Sequence, residues 1–186
     1  MTNSPLGLIG KLDAVLRACA SADIETMIGG GLALMFHVDE PRTTIDIDLQ
    51  VYPPDGDVEA VVTALSSVVE VSADARRALD RDQQVRLMWD LTPIDIFLPV
   101  AAFHEEMRAR SVQVTFPGIA DPVTIISATD LTVLKALFNR TKDWADIEAM
   151  ITAGTPDVAL AGQILDGFGQ DEAGARLRAL ISHPPA

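Results

Sequence analysis

The segment MIGGGLALMFHVDEPRTTIDIDLQV, Met27 to Val51, sets the reading of the whole chain. Three consecutive glycines, Gly29 to Gly31, interrupt an apolar stretch, and two aspartates then fall two residues apart in a β-branched run. Ile24 to Ile28 predicts a short strand, the glycines a turn, and LALMFH a helix lasting until Pro41. Thr43 to Val51 alternates strictly, with Ile45, Ile47, Leu49 and Val51 on one face and Thr44, Asp46, Asp48 and Gln50 on the other. Asp46 and Asp48 therefore project from one side of a strand whose opposite side belongs to a core. Like charges that close are costly unless a cation compensates. A hard divalent ion such as Mg²⁺ does so, taking carboxylate oxygens and keeping positions open for substrate phosphates. Gly30 and Gly31, at a strand-to-helix turn, let backbone N–H groups approach an anion, which suits a phosphate. Taken singly, an Asp-x-Asp pair is more often a solvated strand face, and a Gly-Gly pair more often a plain turn.

The aspartate pair has company. In Pro93-Ile-Asp-Ile-Phe-Leu98, Asp95 sits between Ile94 and Ile96, a charge facing away from the apolar side of another short strand. A third carboxylate on a neighbouring strand would complete a metal-binding trio. Working outward, Leu6 to Ala20 carries Leu8, Ile9, Leu12, Val15, Leu16 and Cys19 at helical spacing, and Asp57 to Val69 shows the same periodicity. Val85 to Trp89 and Ile94 to Leu98 read as two strands joined through Asp90 to Pro93. Val112 to Phe116 and Val123 to Ile126, bounded by Pro or Gly, read as edge strands. Ser127-Ala-Thr-Asp130 opens a helix with a capping serine, and Lys142 to Ser182 is helical in pattern with a break at Gly154 to Pro156.

Composition bounds the function classes. The chain has 186 residues, 48% of them hydrophobic and only 5% aromatic, enough for a core of Ala, Val, Ile and Leu in one domain, or one domain with a helical extension. A formal net charge of −13 argues against bulk attraction to nucleic acid or anionic membrane, so any polyanion must meet a local basic patch. Arg76, Arg77, Arg81 and Arg86 form one such cluster, either a solvated face or a landing site for RNA; Lys135, Arg140 and Lys142 form another. The single cysteine, Cys19, fits a reducing compartment. No apolar run reaches the ~20 residues of a membrane helix, and the first residues lack a signal-peptide layout. A cytoplasmic protein without a membrane partner is expected. His37 and His104 read as structural, His183 lies in the tail, and Trp89 and Trp144 read as core or pocket wall.

Taken together, these segments resemble the nucleotidyltransferase superfamily, in the branch that includes AbiEii-type and MenT-type toxins of bacterial toxin–antitoxin systems. Gly30-Gly31-Leu32-Ala33 resembles the G-G-x-A motif, and Arg42 to Asp48 resembles R-x-T-x-D-x-D. Ile94-Asp95-Ile96 stands as the third-carboxylate strand, and Leu134 to Asp146 is similar to K-x-A-x(3)-R-x-K-D-x-x-D, with Ala136 directly after Lys135. About a third of the chain carries the likeness. Superfamily members often have Gly-Ser; Gly31 stands at the serine position, leaving only backbone donors there.

The resemblance implies an α/β (α+β) fold, a short mixed sheet flanked by helices. Residues 1–126 would form the catalytic core and residues 127–186 a C-terminal helical part closing the nucleotide cleft. It implies that Asp46 and Asp48 hold one or two Mg²⁺ ions bridging the phosphates of an NTP, and that Asp95 is a further ligand and the base for the attacking hydroxyl. Lys135, Arg140 and Lys142 would neutralise the triphosphate, Lys135 foremost, while Arg42 and Thr44 flank the metal strand. Either Asp143 or Asp146 would be the functional acid of the last motif, and both also suit helix capping. The implied activity is transfer of nucleotides from an NTP to an acceptor, the 3′ end of tRNA, with a cognate antitoxin as partner. A small-molecule or protein acceptor and a non-catalytic binding scaffold are the competing readings.

Overall fold

The computed structural model describes residues 6–182. The described residues form two compact units, 6–32 with 43–125, and 33–42 with 126–182. His183 lies outside the described residues.

The first unit is built on a mixed sheet of six strands: β1 (Glu25–Ile28), β2 (Ile47–Tyr52), β3 (Gln84–Trp89), β4 (Thr92–Phe97), β5 (Val112–Val114) and β6 (Val123–Ile125). Their spatial order is β3-β4-β2-β1-β6-β5. β2 runs antiparallel to β1 and parallel to β4, while β3 and β4 form an antiparallel hairpin. One face is aliphatic: Ile28, Ile47, Leu49, Val51, Ile94, Ile96 and Ile125 are completely buried. The alternation in the sequence is what places them together. Five helices begin in this unit: α1 (Leu8–Ser21), α2 (Gly30–Leu34), α3 (Val58–Ser66), α4 (Ala73–Asp82) and α5 (Ala102–Ala109). α1 buries Leu12, Val15 and Cys19 on one stripe, and burial pushes the Cys19 thiol up to about 11, so it is a core thiol and inert as a nucleophile. α3 is capped by Asp57, whose carboxylate accepts from the Glu59 and Ala60 N–H groups.

The second unit contains α6 (Ala128–Phe138), α7 (Thr141–Thr152), α8 (Val158–Gly167) and α9 (Asp171–Ser182). Ser127 caps α6 as its sequence suggests, its Oγ accepting from the Asp130 N–H at 3.1 Å. Ser127 Oγ also donates to Asp130 Oδ2 at 2.6 Å, a side-chain bond in place of the backbone N–H contact that a Glu or Gln makes in a capping box. α6 ends at Asn139, held in the left-handed region at φ 53°, and its Oδ1 accepts from the Nε1–H of the buried Trp144 at 2.6 Å. His37 faces the Ile126 carbonyl at 2.8 Å, and burial lowers its pKa, which leaves it neutral and structural.

Four expectations change. The strand expected from Thr43 begins only at Ile47, and Ile45 is 65% exposed instead of lying on the core face. Both ladders run out there: β1 turns into α2 after Ile28, and continuing the β4 register would set Asp46 against Pro93, which has no N–H to give. The helix expected to last until Pro41 stops at Leu34, where Phe36 and His37 make tight bonds back to the Ala33 and Leu34 carbonyls. β6 is interior, since it pairs with both β1 and β5; the edges are β3 and β5, the latter as expected. The C-terminal helices break a second time, near Gly169, which has φ 67°.

Candidate active site

Parallel pairing of β2 with β4 sets Asp48 opposite Asp95, and antiparallel pairing of β4 with β3 sets Asp95 opposite Arg86. Side chains opposite one another on neighbouring strands share a face. Arg86, Asp95 and Asp48 therefore form a row across three strands, on the side away from Ile47, Leu49, Ile94 and Ile96. Arg86 donates from Nε to Asp95 Oδ1 at 2.7 Å and from Nη2 to Oδ2 at 2.6 Å, a bidentate fork. The Asp95 side chain is 13% exposed and that of Arg86 61%. Hydrogen bonds and the charge of Asp95 raise the Arg86 pKa, and the charges of Asp46 and Asp48 raise it further. Asp46, one residue before β2, is thus close enough to act on the same guanidinium.

The glycines have a steric reason. Gly30 has φ 53°, and a Cβ there would lie 1.8 Å from Asp48 Oδ2 and 2.5 Å from its Cγ. Only a residue without a side chain leaves that carboxylate in place. A Cβ at Gly31 would lie 2.7 Å from both Cβ and Oγ1 of Thr44. The Thr44 hydroxyl thus occupies the space beside Gly31 into which a serine at that position would project. Gly29 N–H donates to the Asp48 carbonyl at 2.9 Å, tying the glycine turn to the aspartate strand through the backbone as well. α2 has only five residues, so little helix dipole supports an anion there.

The basic residues of the last motif lie in the second unit. Lys135, buried on α6, donates to Asp146 Oδ2 at 2.6 Å, and Arg42 donates to the same carboxylate from Nε at 2.9 Å and from Nη2 at 2.9 Å. Burial works to raise the Asp146 pKa, but hydrogen bonds from Arg42 and Lys135, with their charges, outweigh it and hold the carboxyl below its ordinary value. Asp143 does different work: its Oδ2 accepts from the Arg140 backbone N–H at 3.2 Å and from Arg140 Nε at 2.6 Å, capping α7. Asp146 lies beyond the first turn of α7 and caps nothing. The Arg140 guanidinium lies 4.8 Å from the Phe138 ring centroid, and Lys142 is exposed.

The donor set can be tested against a divalent ion. Among the described residues no three His, Cys, Asp or Glu side chains stand together as a ready-made metal cage. Mg²⁺ does not require one, because it binds through one or two carboxylates and completes an octahedron with water and substrate phosphates. Asp48 beside Asp95 on the sheet face away from the aliphatic core, with Asp46 upstream, fits that pattern of hard oxygen donors.

Sequence reasoning missed Arg86 as a partner of Asp95 and grouped it with the helical arginines. The signal was present: a two-residue turn at Asp90-Leu91 sets 86 opposite 95, and Asp90 takes the positive φ of 53° that such a turn needs. The other arginines of that run bind carboxylates, Arg76 with Glu59, Arg77 with Asp74 and Arg81 with Asp82.

The family to which the sequence belongs makes this protein a nucleotidyltransferase. The family described as "Nucleotidyl transferase AbiEii toxin, Type IV TA system" matches residues 14–182, and the chain belongs to it. Its substrate is accordingly an NTP, and an antitoxin counterpart is part of such a system. No curated protein matches the chain in sequence. Among solved structures, the solution structure of the antibiotic-resistance factor ANT(2'')-Ia is similar over 93% of this chain and 94% of that one, with 19% identity and a TM-score of 0.55. The lincomycin-bound lincosamide antibiotic adenylyltransferase LnuA is similar over 77% of this chain and 96% of that one, with 13% identity and a TM-score of 0.54. ANT(2")-Ia in complex with adenylyl-2"-tobramycin covers 90% of this chain and 95% of its own, at 16% identity and a TM-score of 0.52. These likenesses show the fold.

Two outcomes follow from the geometry. Gly30→Ala is expected to leave the fold intact by circular dichroism but to lower nucleotidyl transfer by about a hundredfold or more, since displacing Asp48 by an ångström suffices for such a loss. Asp146→Asn is expected to cost about 3 kcal/mol at pH 7 in chemical denaturation, because Lys135 and Arg42 lose their counter-charge. A depressed carboxyl stabilises above its unfolded pKa of about 4 and loses that contribution as pH falls through its folded value. The gap between wild type and Asp146→Asn should therefore close below about pH 4.

Proposed function

We propose that the chain is a Mg²⁺-dependent nucleotidyltransferase toxin that transfers nucleotides from an NTP to the 3′ end of tRNA and thereby blocks translation in the cytoplasm. The observation that carries the metal-dependent half is the register of Asp48 with Asp95 on one face of the sheet. Asp46, Asp48 and Asp95 are the residues that would hold Mg²⁺. Bound there, the ion supplies charge stabilisation for an in-line displacement at phosphorus. The acceptor hydroxyl oxygen forms a bond to the α-phosphorus, the bond from that phosphorus to the bridging oxygen of the β-phosphate breaks, and pyrophosphate leaves. Asp95 takes the proton from the attacking hydroxyl.

The glycine turn contributes by exclusion. Gly30 keeps the space around the Asp48 carboxylate clear, and the Thr44 hydroxyl beside Gly31 offers the hydrogen bond that a serine would otherwise give to a phosphate oxygen. Lys135, with Arg42, is assigned to the triphosphate and Asp146 to orienting both cations, as their shared hydrogen bonds suggest. Arg140 and Lys142 add positive charge near the same helices, and Asp143 holds Arg140 in place. The pairing of Asp146 with Lys135 favours Asp146 over Asp143 as the functional acid of the motif.

A second reading keeps the chemistry and exchanges tRNA for a small cationic acceptor or a protein. It is favoured by the net charge of −13 and by the pairing of Arg76, Arg77 and Arg81 with carboxylates, which leaves that face poorly suited to RNA. The two are separated by incubating the full chain with Mg²⁺, each α-labelled NTP and total tRNA, with Asp48→Asn alongside. Label at the tRNA 3′ end with wild type, falling at least a hundredfold in Asp48→Asn and steeply with added salt, is the expected result. Label found only on a small molecule or protein would replace the acceptor, and undiminished transfer by Asp48→Asn would overturn the mechanism.

A further inference from the structure

The transfer reaction gives no work to Arg86, yet no other arginine is so placed among the described residues: Arg86 forks onto Asp95 through two bonds of 2.7 and 2.6 Å while the charges of Asp46 and Asp48 also act on it. We propose that Arg86 is a standing counter-cation for the carboxylate row, exchanged for the divalent ion when the site loads, so that it sets how tightly the site holds metal. This rests on the metal reading of Asp48 and Asp95.

Three observations carry it. The fork engages both oxygens of Asp95, so a cation entering the site competes with a guanidinium for the charge of the same two oxygens. The position is fixed by the β3–β4 hairpin register and not by chance contact of long side chains. Finally, the two partners differ in freedom: Asp95 is held in the sheet with 13% of its side chain exposed, whereas 61% of the Arg86 side chain faces solvent on an edge strand. Arg86 can therefore swing away with little loss of packing, while Asp95 stays where the metal needs it. An arginine serves this purpose better than a lysine would by geometry, because its planar fork matches the carboxylate. In the metal-free enzyme the pair keeps three neighbouring carboxylates from repelling one another. On loading, a guanidinium released at the rim becomes free to meet anionic phosphate oxygens.

The test is Mn²⁺ binding, followed by electron paramagnetic resonance on the nucleotide-free full chain, for wild type, Arg86→Gln, Arg86→Met, Arg86→Lys and Asp48→Asn. Removing the competing charge is expected to tighten Mn²⁺ binding about tenfold in both Arg86→Gln and Arg86→Met, with Arg86→Lys, which keeps the charge but not the fork, between them and wild type. A residue with a merely structural role would weaken binding when replaced, not strengthen it. If Arg86→Gln and Arg86→Met bind Mn²⁺ no tighter than wild type while Asp48→Asn abolishes binding, the exchange is wrong and the metal site stands. If wild type and both variants show no saturable Mn²⁺ binding, the metal reading fails and takes the exchange with it.

Discussion

The parallel pairing of β2 with β4 is the constraint on which the first unit depends. It puts Asp48 beside Asp95 and, through the same alternation, buries Ile47 and Leu49 with Ile94 and Ile96 on the reverse face. One register thus sets both the core and the acidic row. Slipping it by a residue would bury the carboxylates and expose the isoleucines, so the energy that buries the aliphatic face also enforces the geometry of the site. Gly30 and Gly31 extend the same constraint to the turn after β1, since side chains there would collide with Asp48 and Thr44.

Charge is organised locally in a chain that is acidic as a whole. Asp95 is matched by Arg86, and Asp146 by Lys135 and Arg42. Each is a buried or half-buried carboxylate held by cations, and ion pairs of that kind give little net stability while fixing where groups point. Their value lies in position. Asp143, by contrast, is spent on the start of α7, where a carboxylate meets free backbone N–H groups and the positive end of the helix.

How much of this was legible in the sequence depended on range. Period-two alternation around Asp48 and Asp95 and the glycines before them are local signals, and they gave the carboxylate strands and the turn; the mixed sheet came from the family resemblance. The Ser127 cap was legible for the same reason. Ile45 and Asp46 were assigned to the strand because alternation does not reveal where partner strands end; Pro93 and the turn at Gly29 decide that. Arg86 required the hairpin register, and the pairing of Arg42 with Asp146 spans 104 residues of sequence, which no local pattern encodes. The interior place of β6 likewise follows from its pairing with β1, a contact between distant segments.

The central claim is that Asp48 and Asp95, brought together by the β2–β4 register, receive a divalent ion. It is tested most directly by anomalous diffraction from crystals of the chain grown with Mn²⁺ and a non-hydrolysable NTP analogue. The account predicts an anomalous peak within coordination distance of carboxylate oxygens of Asp48 and Asp95, with phosphate oxygens completing the shell. Mn²⁺ and triphosphate bound together elsewhere, with the Asp48 and Asp95 carboxylates contacting neither, would contradict it.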